Sequence, residues 1–313
     1  MSEGLFTAPR FTDETAARDH LEAIRWPSGP VCPHCGGVER QSRLNGKAHR
    51  PGVIFCGECR EQYTVTVGTV FERSKVPLHK WVLATHLLCS SKKGMSSHQL
   101  HRTLGVTYKT AWFMSHRIRE AMRPINAAPF GQGGGTVEID ETYVGQDRPR
   151  GAGHRGGHHK RKVLSLVDRT TGRAKSMVVE SVSAKHLVPI LKANIAREAH
   201  ILSDEASWYF PLSVVFAKHE SVNHSEYEYV RLSDRNVHTN TIEGFFSIFK
   251  RGMKGTYQHC SKDHLHRYLA EFDFRYSERA KLGVNDSERA AKALKGISGK
   301  RLTYRRTDNS AQQ

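Results

Sequence analysis

Two sets of residues in this chain of 313 are typed and spaced for chemistry: paired cysteines near the start and isolated acids farther on. Cys32 and Cys35 fall in CPHC, Cys56 and Cys59 in CGEC. Each pair suits a tight knuckle that turns two thiolates to one side, and two knuckles brought together by a returning hairpin make a tetrahedral site for a structural Zn²⁺. A redox Cys-x-x-Cys would not need the second pair, and His34 is not needed for four-coordination. Gly36 and Gly37 are expected to supply the positive φ of the first knuckle. Farther on, Asp140 in TVEIDETYVG and Asp204 in AHILSDEASWY interrupt apolar runs that read as strands. An Asp in such a run is costly unless something pairs with it. Two of them invite a shared divalent cation, and hard oxygen ligands favour Mg²⁺ or Mn²⁺ over zinc.

A third acid lies in HTNTIEGFFSIFKRG, residues 238–252. At about 100° per residue, Ile242, Phe245, Phe246 and Phe249 form one apolar stripe. Glu243 and Lys250 fall about 20° apart on one flank of it. Taken alone they are boundary charges beside a buried face. With Asp140 and Asp204 in the same half of the chain, that flank is expected to look into a cleft beside a sheet.

The elements that must carry these residues follow from composition and pattern. Lys and Arg total 48 against 31 Asp and Glu, a formal net charge of +17. The excess is spread through HHKRK, FKRGMK and YRR, which points to a polyanionic partner, most commonly nucleic acid. With no apolar run of about 18 residues and no signal pattern, a soluble intracellular protein without a membrane span is expected. Four of the six cysteines are paired, which implies metal and not disulfides. The length allows two or three domains.

VIF and YTVTVGTVF around the second cysteine pair read as short strands. A helix should start at Pro77, with Leu78, Trp81, Thr85 and Leu88 on one face and Cys89 buried. SSHQLHRTLGV and TYKTAWFMSHRIREAM, separated at Gly105 and with Thr107 as N-cap, have the helix-turn-helix pattern. Ala111, Met114 and Ile118 would face inward, leaving Lys109, His116, Arg117 and Arg119 for DNA. PINAAPFGQGGG, 124–135, reads as a linker. KVLSLVDRTTGRAKSMVVESV reads as two strands joined at a Thr-Gly turn, and SAKHLVPILKANI as a helix shaped by Pro189. The whole is a multi-domain chain ending in a mixed α/β domain. Glu138, Glu141 and Glu205 lie beside the three acids; alternation turns Glu141 away from Asp140. Trp208 and Tyr209 suit base stacking or core packing, His238 a phosphate contact or a plain loop. GAGHRGGHHKRK, 151–162, reads as a DNA-contacting loop.

DETYVG, LSDEASWY and HTNTIEGFFSIFKRGMKGTYQHC, with WPSGPVCPHCGG and GTVFERSKVPL, resemble bacterial insertion-sequence transposases of the DDE type, in the group with an N-terminal zinc ribbon. The resemblance runs from about Phe11 to Arg305. It implies an N-terminal helical segment (1–27), a zinc ribbon (28–73), a helix-turn-helix-like region (74–123), the linker, a ribonuclease-H-like catalytic domain (136–283) and a basic tail (284–313). The implied triad is Asp140, Asp204 and Glu243 holding Mg²⁺ or Mn²⁺, with Lys250 as the following basic residue. Some relatives carry Asn or His at the third acid, but Glu243 with a Lys seven residues on fits better here than Asn240 or His238. Lys250, Arg251, Lys109, Arg117 and Arg119 are the expected DNA contacts. The implied activity is binding of double-stranded transposon ends at their terminal inverted repeats, cleavage there, and strand transfer into target DNA. A dimer or larger synaptic complex on the bacterial nucleoid is implied as well. Two other readings compete: a DNA-binding regulator descended from a transposase, and a nuclease without strand transfer.

Overall fold

The computed structural model describes residues 7–125, 127–145 and 160–303. Most of the GAGHRGGHHKRK stretch and the last residues of the basic C-terminal segment lie outside them. The chain divides into two compact units: the described residues of Met1–Ser91, Met95–Arg123 and Asn285–Gln313, and those of Lys92–Gly94 and Pro124–Val284.

In the first unit, α1 (Glu14–Arg25) begins at Asp13, whose carboxylate accepts the Ala16 N–H. An antiparallel sheet of β1 (Gln41–Arg43), β2 (Ile54–Cys56) and β3 (Gln62–Tyr63) follows. The run after Tyr63, expected to continue as strand, does not. The Thr64 and Thr66 hydroxyls bond each other at 3.0 Å, and Thr69 Oγ1 donates to the Thr66 carbonyl at 2.6 Å. Such local bonds compete with a ladder. α2 (Leu78–Ser90) starts after Pro77 and buries Leu78, Trp81, Thr85, Leu88 and Cys89. α3 (Ser97–Leu104) stops at Gly105, with φ of 60°, and Thr107 Oγ1 caps α4 (Tyr108–Met122) by accepting the Thr110 N–H at 3.2 Å.

The second unit is a five-stranded sheet. Its strands are β4 (Thr136–Val144), β5 (Arg161–Asp168), β6 (Ala174–Val179), β7 (His200–Asp204) and β8 (Lys218–Val222), in the spatial order β6-β5-β4-β7-β8. β4, β5 and β6 are antiparallel neighbours; β7 runs parallel to β4, and β8 parallel to β7. Asp168 closes the β5–β6 turn by accepting the N–H groups of Thr170 and Thr171 at 2.8 and 2.9 Å. Helix α5 (Ala184–Asn194) links β6 to β7, and α6 (Asn240–Gly252) and α7 (Lys262–Ser277) follow β8.

Alternation divides the sheet into two packed faces. Val137, Ile139, Leu164 and Leu166 pack with Leu187 and Leu191 of α5 and with Tyr209 and Leu212. Val163 and Val167 pack with Ile242, Phe245, Phe246 and Phe249 of α6 and with Leu269 and Phe272 of α7. Phe130, placed in the linker by its Pro- and Gly-rich surroundings, is 2% exposed and bridges to Ile195, so that end of the segment belongs to the sheet domain. α8 (Asp286–Lys295), opened by a capping box of Asn285 and Glu288, completes the first unit. It packs on α2, α1 and α4, so the first described residues of the expected tail are folded helix.

Candidate functional site

The cysteine site is built by two mirrored knuckles. Gly36 N–H bonds the Cys32 carbonyl and Arg60 N–H the Cys56 carbonyl, at 2.9 and 2.8 Å. Gly36 takes φ of 79° and Arg60 takes φ of 65°. Gly37 is not in that conformation; it leaves room for the Glu58 carboxylate, which accepts the Glu39 and Arg40 N–H groups. The sulfurs of Cys32 and Cys59 lie 3.6 Å apart, those of Cys35 and Cys56 3.7 Å, and all four within 4.8 Å of one another. A tetrahedron of sulfurs about 2.3 Å from a zinc ion has edges of about 3.8 Å, so the residues fit a zinc site. The Cys59 backbone N–H holds the Cys56 thiol down at about 6, whereas burial and the neighbouring cysteines push Cys59 up to about 12 and raise Cys35 as well.

The carboxylates gather on the sheet face that α6 covers. Thr136, Val137 and Glu138 of β4 pair with His200, Ile201 and Leu202 of β7. Asp140 and Asp204 lie two residues beyond the last of these pairs, on adjacent strands and one face. Burial and the charges of Glu141 and Asp204 push the Asp140 carboxyl up to about 8, and Glu243 adds to the rise. Burial also raises Asp204, against the Ala206 N–H that it accepts. Glu243 stands on the first turn of α6, accepts from Thr239 Oγ1 at 3.2 Å and has His224 Nε2 at 3.6 Å. Lys250 is exposed two turns on, its ammonium 5.7 Å from the Phe246 ring centroid. The aromatic stripe is buried as expected: Ile242 and Phe249 are 0% exposed.

The neighbouring acids sort by their partners. Glu141, on the opposite face from Asp140, accepts the Tyr209 hydroxyl at 2.5 Å. That bond, and full burial of Tyr209, make the latter a core residue and remove it from base stacking. Trp208 packs against the same core. Glu205 is tied to Ser225, whose hydroxyl and N–H it accepts, and this holds its carboxyl down at about 2. His238 is partly buried and faces Arg169: its Nδ1 lies 2.7 Å from the guanidinium.

Two expected DNA contacts are corrected. Arg119 is 1% exposed and donates to Ser115 Oγ at 2.9 Å, and His116 is 0% exposed against Trp112. α4 packs against α2, α3 and α8, so its buried arc is wider than Ala111, Met114 and Ile118 alone suggest. Arg117 is half-buried; it donates to the Leu302 and Glu72 carbonyls and lies over Phe113. Lys109, Lys250 and Arg251 are exposed. Sequence reasoning placed Glu138 only beside the triad and passed over Arg169 and His224. Glu138 was within reach, because it shares the inward parity of Asp140.

A central strand flanked on one side by antiparallel and on the other by parallel neighbours, with helices on both faces, is the ribonuclease-H-like sheet. Preceded by a zinc ribbon and a helical region, and carrying acids on its two central parallel strands, it defines the class of polynucleotidyl-transferase domains. Residues 132–277 match the family model of the ISXO2-like transposase domain, and residues 12–62 that of the transposase zinc-ribbon domain. A Halobacterium salinarum protein described as an uncharacterized protein in transposable element ISH50 is 31% identical over 281 residues, 85% of this chain and 91% of that one. The chain belongs to the ISXO2-like transposases. Among solved structures, the catalytic core of BIV integrase is similar at 12% identity over 44% of this chain and 82% of that one, with a TM-score of 0.29. A pre-cleavage Mos1 transpososome is similar at 12% identity over 64% and 70%, also at 0.29. Likenesses at those scores bear no weight, and the fold rests on the strand order itself. Among the described residues no helix is long and apolar enough to cross a membrane.

Proposed function

We propose that this chain binds the double-stranded ends of its transposable element, cleaves them at a phosphodiester and joins the freed 3′ end to target DNA. Asp140, Asp204 and Glu243 act as the catalytic carboxylates. The observation that supports this most directly is that Asp140 and Asp204 lie just beyond the parallel ladder of two adjacent strands, with the charges of Asp204 and of Glu243 on α6 both acting on Asp140. Burial first, and then the neighbouring acids, push the Asp140 carboxyl up to about 8, and the donors gathered there are hard oxygens suited to Mg²⁺ or Mn²⁺. Such ions, when bound in a pair, activate the attacking oxygen and neutralise the leaving one. Asp140, Asp204 and Glu243 would together hold the ions through their carboxylate oxygens. Lys250 meets a terminal phosphate as a point charge from the same flank of α6. Arg251 and Lys109 add phosphate contacts on their own surfaces, and two chains in a synaptic complex bring two ends together.

The test is to incubate the full chain with Mg²⁺, labelled element ends and a plasmid target. Cleaved ends and joined product are expected. Cleavage without joining would make the protein a nuclease, and binding without cleavage would make it a regulator.

A further inference from the structure

Glu138 lies two residues before Asp140 on β4 and faces the same side, yet it is 0% exposed. Both its oxygens are used. Oε2 accepts the N–H of Ile242 at 2.8 Å, in the first turn of α6 and immediately before Glu243. Oε1 accepts from Nε of Arg169, the residue that follows β5. The same guanidinium donates to the Asn236 carbonyl and to both the carbonyl and Nδ1 of His238, the latter two at 2.7 Å. His238 Nδ1 also accepts the Asn240 N–H at 3.2 Å.

A helix begins with N–H groups that have no partner inside it, normally met by the side chain of its own N-cap. Thr239, the N-cap of α6, makes no such bond. The first turn is instead held by a carboxylate from the strand of Asp140 and by His238, which Arg169 fixes in place. One side chain therefore reaches from two residues before one acid to the residue just before another.

We propose that Glu138 and Arg169 are positioning residues that set the distance of Glu243 from Asp140, and thereby the affinity of the carboxylate site for its divalent cations. This rests on the reading of Glu243 and Asp140 as cation-holding acids. A buried carboxylate paired by a forked guanidinium is suited to the task, because neither partner is free to shift without leaving the other's charge unmet. Glu138 itself is fully enclosed, with each oxygen already accepting a hydrogen bond from α6 or Arg169.

The test uses the full chain and Mn²⁺ as probe, with binding followed by calorimetry or by the loss of the free-ion EPR signal. Glu138→Gln keeps size and one acceptor but loses the Arg169 pair. Arg169→Lys keeps every charge but cannot span Glu138, Asn236 and His238 together. Both are expected to weaken Mn²⁺ binding by about 10–100-fold, the usual cost of losing a partner behind a ligand, with element-end affinity near wild type and a lowered melting temperature, since each leaves a buried charge without its full set of partners. Arg169→Lys separates positioning from simple Coulomb effects, since no charge is removed. An unchanged Mn²⁺ midpoint in either folded variant overturns the proposal, as does a lowered melting temperature with an unchanged midpoint. If neither variant folds, the pair belongs to stability alone and the proposal falls. The underlying reading fails separately: it would show as wild-type Mn²⁺ affinity and full cleavage in Glu243→Gln, whatever Glu138→Gln does.

Discussion

Asp140 and Asp204 lie on one face of adjacent strands, each two residues beyond Glu138 and Leu202, the last pair of the parallel ladder between β4 and β7, and the Asp204 charge helps to raise the Asp140 carboxyl. Two neighbouring carboxylates repel unless a cation or proton lies between them. Replacing either by Asn should cut end cleavage by ~10³-fold or more, since a ligand is lost where charge develops in the transition state. The same change relieves repulsion, so in buffer free of added divalent cations the Asn variants should melt at or above the wild-type temperature. Gel assays of labelled ends with parallel thermal melts check both. A variant that is slow and also unstable would speak for damage to the fold.

The four sulfurs fit one tetrahedral ion. Elemental analysis of the purified chain should give one zinc per chain, and Cys56→Ser should lose it. Because zinc binding and ribbon folding are coupled, amides of β2 and β3 should then exchange freely while those of β4, β5 and β7 remain protected. Exchange that rises equally in both units would show that the ribbon is not an independent source of order.

How far the sequence reached depended on whether a residue's partners were local. The knuckles, the Gly105 turn, the Thr107 cap and the stripe of Ile242, Phe245, Phe246 and Phe249 are set by neighbours within a few residues, and composition and period reveal them. Asp140, Asp204 and Glu243 were legible as residues out of place in apolar runs. Arg119 was misjudged because the helices that bury it come from distant parts of the chain, including α8. β8, α7 and α8 carried too little contrast to be read: KHESV is a polar edge strand, and Glu271, Asp273 and Arg275 put buried charges on the inner side of α7. The Glu138–Arg169 pair depends on β4, β5 and α6 meeting, which no spacing in the chain discloses.

Charge makes a prediction about affinity. A surface with a formal excess of +17 should release counterions on binding element ends, so log affinity should fall steeply and linearly with log salt. Lys250→Ala and Lys109→Ala should each lower that slope by about one if each meets a phosphate. Arg119→Ala should leave the slope alone and instead destabilise the first unit, because its guanidinium is enclosed and bonded to Ser115. Filter binding across a salt series, with a melt for each variant, separates the two effects. A flat salt response would undo the electrostatic argument.

Asp273, buried on α7, accepts the Ser176 N–H and hydroxyl, each at 2.7 Å. Burial pushes its carboxyl up to about 7, against the pull of those two donors. In the unfolded chain the same group titrates near 4. Between about 4 and about 7, then, the folded state holds a proton that the unfolded state has released, and stability must fall as pH rises through that window. Above it the loss is complete and the contribution is flat. The slope is at most about 1.4 kcal/mol per pH unit, so the whole window is worth a few kcal/mol. Asp273→Asn cannot ionise and should flatten this part of the profile, gaining on wild type as pH rises from 5 to 8. Asp140, Glu141 and Asp204, which are also raised, add slopes of the same sign, so the difference between the two proteins isolates Asp273. Hydrogen exchange of β6 and α7, corrected for the intrinsic rate at each pH, supplies the measurement. A difference that does not grow with pH would mean that Asp273 stays ionised in the fold, held by its Ser176 donors.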